Sequence, residues 1–66
     1  MRTNLKVLRV RNKYTQAEMA AEIGFGSQIY AAVENGTRRG SEEFWQCVQT
    51  RFSVPDSEMW SLMQNE

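Results

Sequence analysis

The stretch from Thr15 to Gly36 is divided by its own punctuation into two short helices with almost no slack between them. Thr15-Gln16-Ala17-Glu18 reads as a capping box, in which the threonine oxygen accepts a free helix-start amide and the glutamate reaches back to the cap. Met19, Ala20 and Ile23 follow at helical spacing as a buried stripe. Gly24 ends that helix, because glycine tolerates the left-handed conformation needed there. Gly26 or Ser27 begins the next helix, which runs to about Asn35 with Tyr30 and Val33 facing inward. Asn35-Gly36 is a strong helix stop. Two helices joined by a glycine turn form the layout of a helix-turn-helix, here over about residues 15–35.

The flanks also read as helices. The first segment runs roughly from Asn4 to Lys13, with Thr3 or Asn4 as its cap. Leu5 and Leu8 share one face, and Val7 and Val10 form a second pair. A polar loop, Thr37-Arg38-Arg39-Gly40, precedes a fourth helix. Ser41 caps it, and Glu42 and Glu43 occupy the first turn, where the helix dipole favours acids. Phe44, Cys47, Val48 and Phe52 repeat along it at helical spacing. Ser53-Val54-Pro55-Asp56 is a break, and a short fifth helix carries Met59, Trp60, Leu62 and Met63. No segment alternates at period two over strand length. The expected fold is therefore all-α, a compact five-helix domain occupying residues 1–66, and by residue type Cys47, Trp45 and Trp60 are candidates for its core.

Domains of 66 residues bury only ~60% of the surface that their unfolded chain exposes, so they usually need added support. Cys47 is the only cysteine and there is no histidine, which rules out an internal disulfide and leaves too few ligands for zinc. A partner subunit remains as the source of support. The lone cysteine and the lack of a signal-peptide pattern point to a reducing, cytoplasmic setting. No apolar run is long enough to span a membrane. Without histidine, and without paired carboxylates in a glycine-framed pocket, no acid–base or nucleophilic apparatus is visible; neither an enzyme nor a cofactor is expected.

The net charge is zero but unevenly spread. Arg2, Lys6, Arg9, Arg11 and Lys13 lie in a front segment without acids, and Arg38 and Arg39 follow in the loop. Glu42, Glu43, Asp56, Glu58 and Glu66 face a single base, Arg51, in the back third. Such asymmetry suits a protein with one face toward phosphate and another away from it. A solvated surface of uneven charge would read the same way. The helical layout adds to the first reading. An α-helix fits the major groove of DNA and can present its early side chains to base edges. The preceding helix can set its positive N-terminal end on a phosphate, with Gln16 adding a side-chain donor.

The run Thr15-Gln16-Ala17-Glu18-Met19-Ala20-Ala21-Glu22-Ile23-Gly24 resembles the "TQxxLAxxxG" pattern of the lambda-repressor-like, Cro-type helix-turn-helix family. Val33-Glu34-Asn35-Gly36 resembles that family's "IENG", at the matching separation, and the likeness extends from Leu5 to about Met63. The resemblance implies that Thr15 and Gln16 contact phosphate and that Ser27, Gln28 and Ala32 meet base edges. It implies that Asn35, Arg38 and Arg39 run along the backbone, and that Arg9 and Glu34 tie the first helix to the end of the third. It also implies a dimer contact at the C-terminal helix and the break before it. The candidates there are Phe52, Val54, Met59, Trp60 and Met63. Four departures stand out. Lys13 replaces a frequent glycine, and Gly26 a frequent serine or threonine cap. Tyr30 replaces a smaller aliphatic residue, and Ala31 and Ala32 longer polar readers.

Residue chemistry leaves several roles open. Gln28 has the amide geometry for a two-pronged contact with adenine. Ser27 suits either a DNA contact or N-capping. Ile29 could meet a thymine methyl or cover the core. The two tryptophans and four methionines exceed what one small core needs, so some should lie at a subunit interface. The expected function is a bacterial or phage-encoded transcriptional regulator, a repressor binding a palindromic operator as a homodimer. The rival expectation is a protein-interaction module of the same fold, an antitoxin or adaptor.

Overall fold

The computed structural model describes all 66 residues and contains five helices and no strand. They are α1 (Thr3–Arg11), α2 (Gln16–Ile23), α3 (Ser27–Asn35), α4 (Glu42–Phe52) and α5 (Asp56–Met63). The boundaries of α2 follow from its own sequence. The Thr15 hydroxyl accepts from the Glu18 amide at 3.1 Å, the Glu18 carboxylate accepts from the Thr15 amide at 2.8 Å, and Gly24 closes the helix at φ +79°. Helix α4 is capped by Ser41, whose hydroxyl accepts from the Phe44 amide at 3.0 Å. Gly36 closes α3 at φ +91°.

Helix α1 departs from expectation at both ends. Neither Thr3 nor Asn4 caps it; Arg2 occupies the N-cap position, and no side chain caps the helix there. The chain is instead brought in by a long-range tie, the Arg2 amide donating to the Glu34 carbonyl at 2.7 Å. The Asn4 amide donates to the Ser61 hydroxyl at 2.7 Å. The helix stops at Arg11, because Lys13 turns left-handed at φ +63°. Lys13 thus adopts a backbone that favours glycine.

The buried stripes of α2 and α3 are those read from the sequence. Met19, Ala20, Ile23, Tyr30 and Val33 are all buried, as are Phe44, Trp45 and Val48 of α4. Phe44 is the centre of the aromatic packing. Phe25 and Trp45 meet it edge-on at 5.2 and 5.1 Å between ring centres, and Tyr30 stacks on it at 6.1 Å. Cys47, expected in the core, is half-buried at its edge. The second α1 pair does not reach the core: Val7 and Val10 are 43% and 54% exposed. Leu5 and Arg9 set the inward face of α1, and 100° per residue turns Val7 and Val10 away from it. No helix is long and apolar enough to cross a membrane.

Candidate nucleic-acid interface

On α3, Tyr30, Val33 and Glu34 are buried. Gln28, Ala32 and Asn35 are separated by steps of four and three, so they share the opposite face. Gln28 and Asn35 are exposed and Ala32 is half-buried, with Ala31 beside it. The outward face is therefore a low ridge with a long amide near each end. Gly26 stands at the N-cap with no side-chain cap. Ser27 is exposed and lies inside the helix, so it does not cap it. The first amides of α3 are thus left open, as helix geometry requires wherever no cap intervenes.

Gln16 stands at the first position of α2, half-buried, and its amide nitrogen donates to Glu34 Oε1 at 3.4 Å. An amide nitrogen has two protons, so the second is free for an acceptor outside. The Thr15 hydroxyl accepts within the capping box and keeps its own proton available. Glu34 is the anchor. Its side chain is 1% exposed and takes both prongs of Arg9, at 2.9 and 3.0 Å. Arg9 also donates to the Tyr14 carbonyl at 2.9 Å, which ties the α1–α2 turn into the same network. Burial pushes the Glu34 carboxyl up, but the hydrogen bonds and charge of Arg9, helped by the Tyr30 hydroxyl and the Gln16 amide, outweigh this and hold it below its usual value. Arg9 is raised in turn, chiefly by its bond to Glu34. The Tyr30 hydroxyl is buried beside the pair, and burial, reinforced by the neighbouring Glu34 carboxylate, drives its pKa strongly upward.

The loop after α3 holds Arg38 and Arg39, both exposed. Its backbone turns on a single acceptor. The Ala32 carbonyl receives the amides of Gly36, Thr37 and Arg38 at 3.1, 2.9 and 3.2 Å.

Among the front-segment cations, two are not at the surface. Arg2 is 5% exposed and bonded to backbone carbonyls, and Arg9 is committed to Glu34. Both leave the set of charges available to phosphate. The pairing of Arg9 with Glu34 is the one that the resemblance implied. The burial of Arg2 was not, because its partners lie 31 to 61 residues away. Lys6, Arg11 and Lys13 remain exposed; Arg11 lines a groove between α1 and the α4–α5 break.

The five dimer candidates fall into three settings. Phe52 and Val54 are half-buried and line the groove against α1. Met59 and Met63 border a shallow depression against α4. Trp60, a core candidate by residue type, is not in the core: it projects outward, 73% exposed. No cluster of three or more His, Cys, Asp or Glu side chains is arranged to hold a metal ion. Comparison with protein-family models, with curated proteins and with solved structures finds no match to the chain.

Proposed function

We propose that this chain is a lambda-repressor-like helix-turn-helix regulator, a repressor that binds a palindromic operator as a homodimer. The observation that supports it most is the open start of α3. Ser27 and Gln28 stand exposed there on an uncapped helix, anchored from behind by the buried Arg9–Glu34–Gln16 network. In this reading α3 enters the major groove, with Gln28 as base reader and Ser27 and Ala32 close to base edges. Thr15 and Gln16, with the open amides at the start of α2, take one phosphate. Asn35, Arg38 and Arg39 follow the backbone on the other side. Dimerisation uses the C-terminal part, with exposed Trp60 and Met63 and half-buried Phe52, Val54 and Met59 as its contacts. A dimer sets two recognition helices about one DNA turn apart, which a single short helix needs for affinity and specificity.

The low ridge at Ala31 and Ala32 favours the second reading, a module whose outward face packs on a protein. Selection from random duplex DNA separates the two, followed by an anisotropy titration in salt. The repressor reading requires an enriched palindrome, and log affinity falling with log salt at roughly 0.9 per phosphate contact. Absence of binding to any duplex at low salt refutes it.

A further inference from the structure

Arg2 is the least expected side chain in the molecule. It is an arginine 5% exposed with no carboxylate partner, since the ion pairs are Arg9–Glu34 and Arg51–Glu22. A buried cation is costly unless its donors are satisfied, and here main-chain carbonyls satisfy them. Nη1 donates to Val33 at 2.6 Å and to Arg38 at 2.7 Å, Nη2 to Arg39 at 3.3 Å, and Nε to Met63 at 3.1 Å. Val33 and Met63 lie in the last turns of α3 and α5, where carbonyls with spare acceptor capacity and the negative ends of the helix dipoles favour a cation. Arg2 thus joins two helix ends to the two loop residues that carry the exposed cations.

Other residues close on the same loop. The Trp45 indole lies beside the Arg2 guanidinium, 5.6 Å from ring centre to carbon, and donates to the Arg39 carbonyl at 3.1 Å. Gly40 makes that approach possible. It sits at φ +80°, and a Cβ there would lie 2.8 Å from the indole nitrogen. The Asn65 side chain donates to the Gly36 carbonyl at 3.0 Å. The carbonyls of Gly36, Arg38 and Arg39 are therefore all held from outside the loop, while the Arg38 and Arg39 side chains remain free.

We propose that Arg2 is a positioning residue for the backbone-contacting loop, fixing the Arg38–Arg39 main chain against the ends of α3 and α5 so that the two guanidinium groups meet phosphate already placed. Its functional half rests on the DNA reading above. Pre-placed groups bind more tightly because less freedom is lost on binding. The planar five-donor fork makes the role specific to arginine, since lysine offers three donors from one point.

The test uses Arg2→Lys, which keeps the charge and loses the fork, and Trp45→Phe, which keeps a ring and loses the indole donor. Each is compared with the wild type by amide-exchange and relaxation NMR without DNA, and by anisotropy with the selected duplex. The expected result is loss of protection and order at residues 37–40, with α2 amides unchanged. Affinity should fall roughly three- to tenfold for all sequences. The salt slope should stay the same, because the same phosphates are still neutralised. In an Arg38→Ala/Arg39→Ala background, Arg2→Lys should have no further effect on binding. In Arg2→Gln, which loses the charge, a slope reduced by about 0.9 would mean that Arg2 itself meets phosphate, which overturns the proposal. So would a loop as ordered in both variants as in the wild type, or an affinity loss that persists in the Arg38/Arg39 background. Wild-type protein that binds no duplex refutes the DNA reading, and the functional half of this proposal with it. The NMR comparison separates that outcome from a loop that never needed Arg2.

Discussion

Arg9 in α1 and Arg39 in the loop after α3 carry the same guanidinium and put it to opposite use. Arg9 has a 13% exposed side chain, clamped by both prongs to a carboxylate that is itself 1% exposed. Arg39 is exposed at the side chain and held only by its carbonyl, through Arg2 and Trp45. One is fixed at the charge and the other at the backbone. Charge inside the fold must be paired, because dehydrating an ion is costly; charge meant for an external phosphate must stay unpaired on a steady support. A count of basic residues along a sequence merges these two uses. The front segment, with no acid of its own, looked like a surface for phosphate; part of it is internal bracing.

The largest effect that could break this comparison is on stability. Arg9→Ala, which strands Glu34 without its partner, should cost about 3–5 kcal/mol, whereas Arg39→Ala should change stability by less than about 0.5 kcal/mol. Denaturant unfolding measures both. The double variant Arg9→Met/Glu34→Leu should recover most of the loss, since an apolar pair of similar volume needs no desolvation. Similar losses from Arg9→Ala and Arg39→Ala would erase the distinction.

The pair should also respond to pH. The Glu34 carboxyl is held below its ordinary value of 4.5. Its contribution to stability is therefore complete above that ordinary value, and is lost as pH falls through the lower folded value. The thermal midpoint of the wild type should drop on acidification below about pH 4.5, and that of Glu34→Gln should drop less. Equal acid sensitivity in the two proteins would place the titrating carboxylate elsewhere.

Much of this architecture is legible because its signals are local. The capping box at Thr15, the stop at Gly24 and the stripe Met19-Ala20-Ile23 all lie within a few turns of chain, and the structure has each of them. The two expected α1 caps failed because the entry to α1 is set by Arg2 bonding to Glu34, a contact that no local pattern encodes. The outward position of Val7 and Val10 is illegible for a related reason. Helical spacing says that two residues share a face, but not which face meets the rest of the protein. At the candidate interface, Gln28, Ala32 and Asn35 were picked out by the resemblance, and helical spacing accounts for their sharing one face. The clamp on the loop has no such signal, since it is assembled from Arg2, Trp45 and Asn65, drawn from both ends and the middle of the chain.

A smaller effect separates reading from positioning on the outer face. Gln28→Ala should remove a base contact and cost about 1–3 kcal/mol at one operator position while leaving other positions alike. Arg39→Ala should weaken binding to every sequence by the same factor. Affinities for single-base operator variants measure this. If Gln28→Ala also lowers all affinities equally, α3 meets no base through that amide, and the outer face holds positioning groups alone.

The smallest effect concerns a cation that is neither paired nor on the loop. Lys13 is exposed and turns the chain between α1 and α2 at φ +63°, and Ser53 ends α4 at φ +52°. Left-handed backbone costs a residue with a side chain roughly 1–2 kcal/mol. Glycine removes that strain but has more freedom to lose on folding. Lys13→Gly and Ser53→Gly should therefore each stabilise the protein by no more than about 1 kcal/mol, a rise of a few degrees in Tm for a chain of this size. The gains should be similar, because the strain belongs to the backbone and the charge at Lys13 does not enter. A gain at Ser53 together with a loss at Lys13 would show that an exposed cation contributes to the fold after all. The line drawn between Arg9 and Arg39 would then have to be redrawn by each group's own contacts and not by its burial.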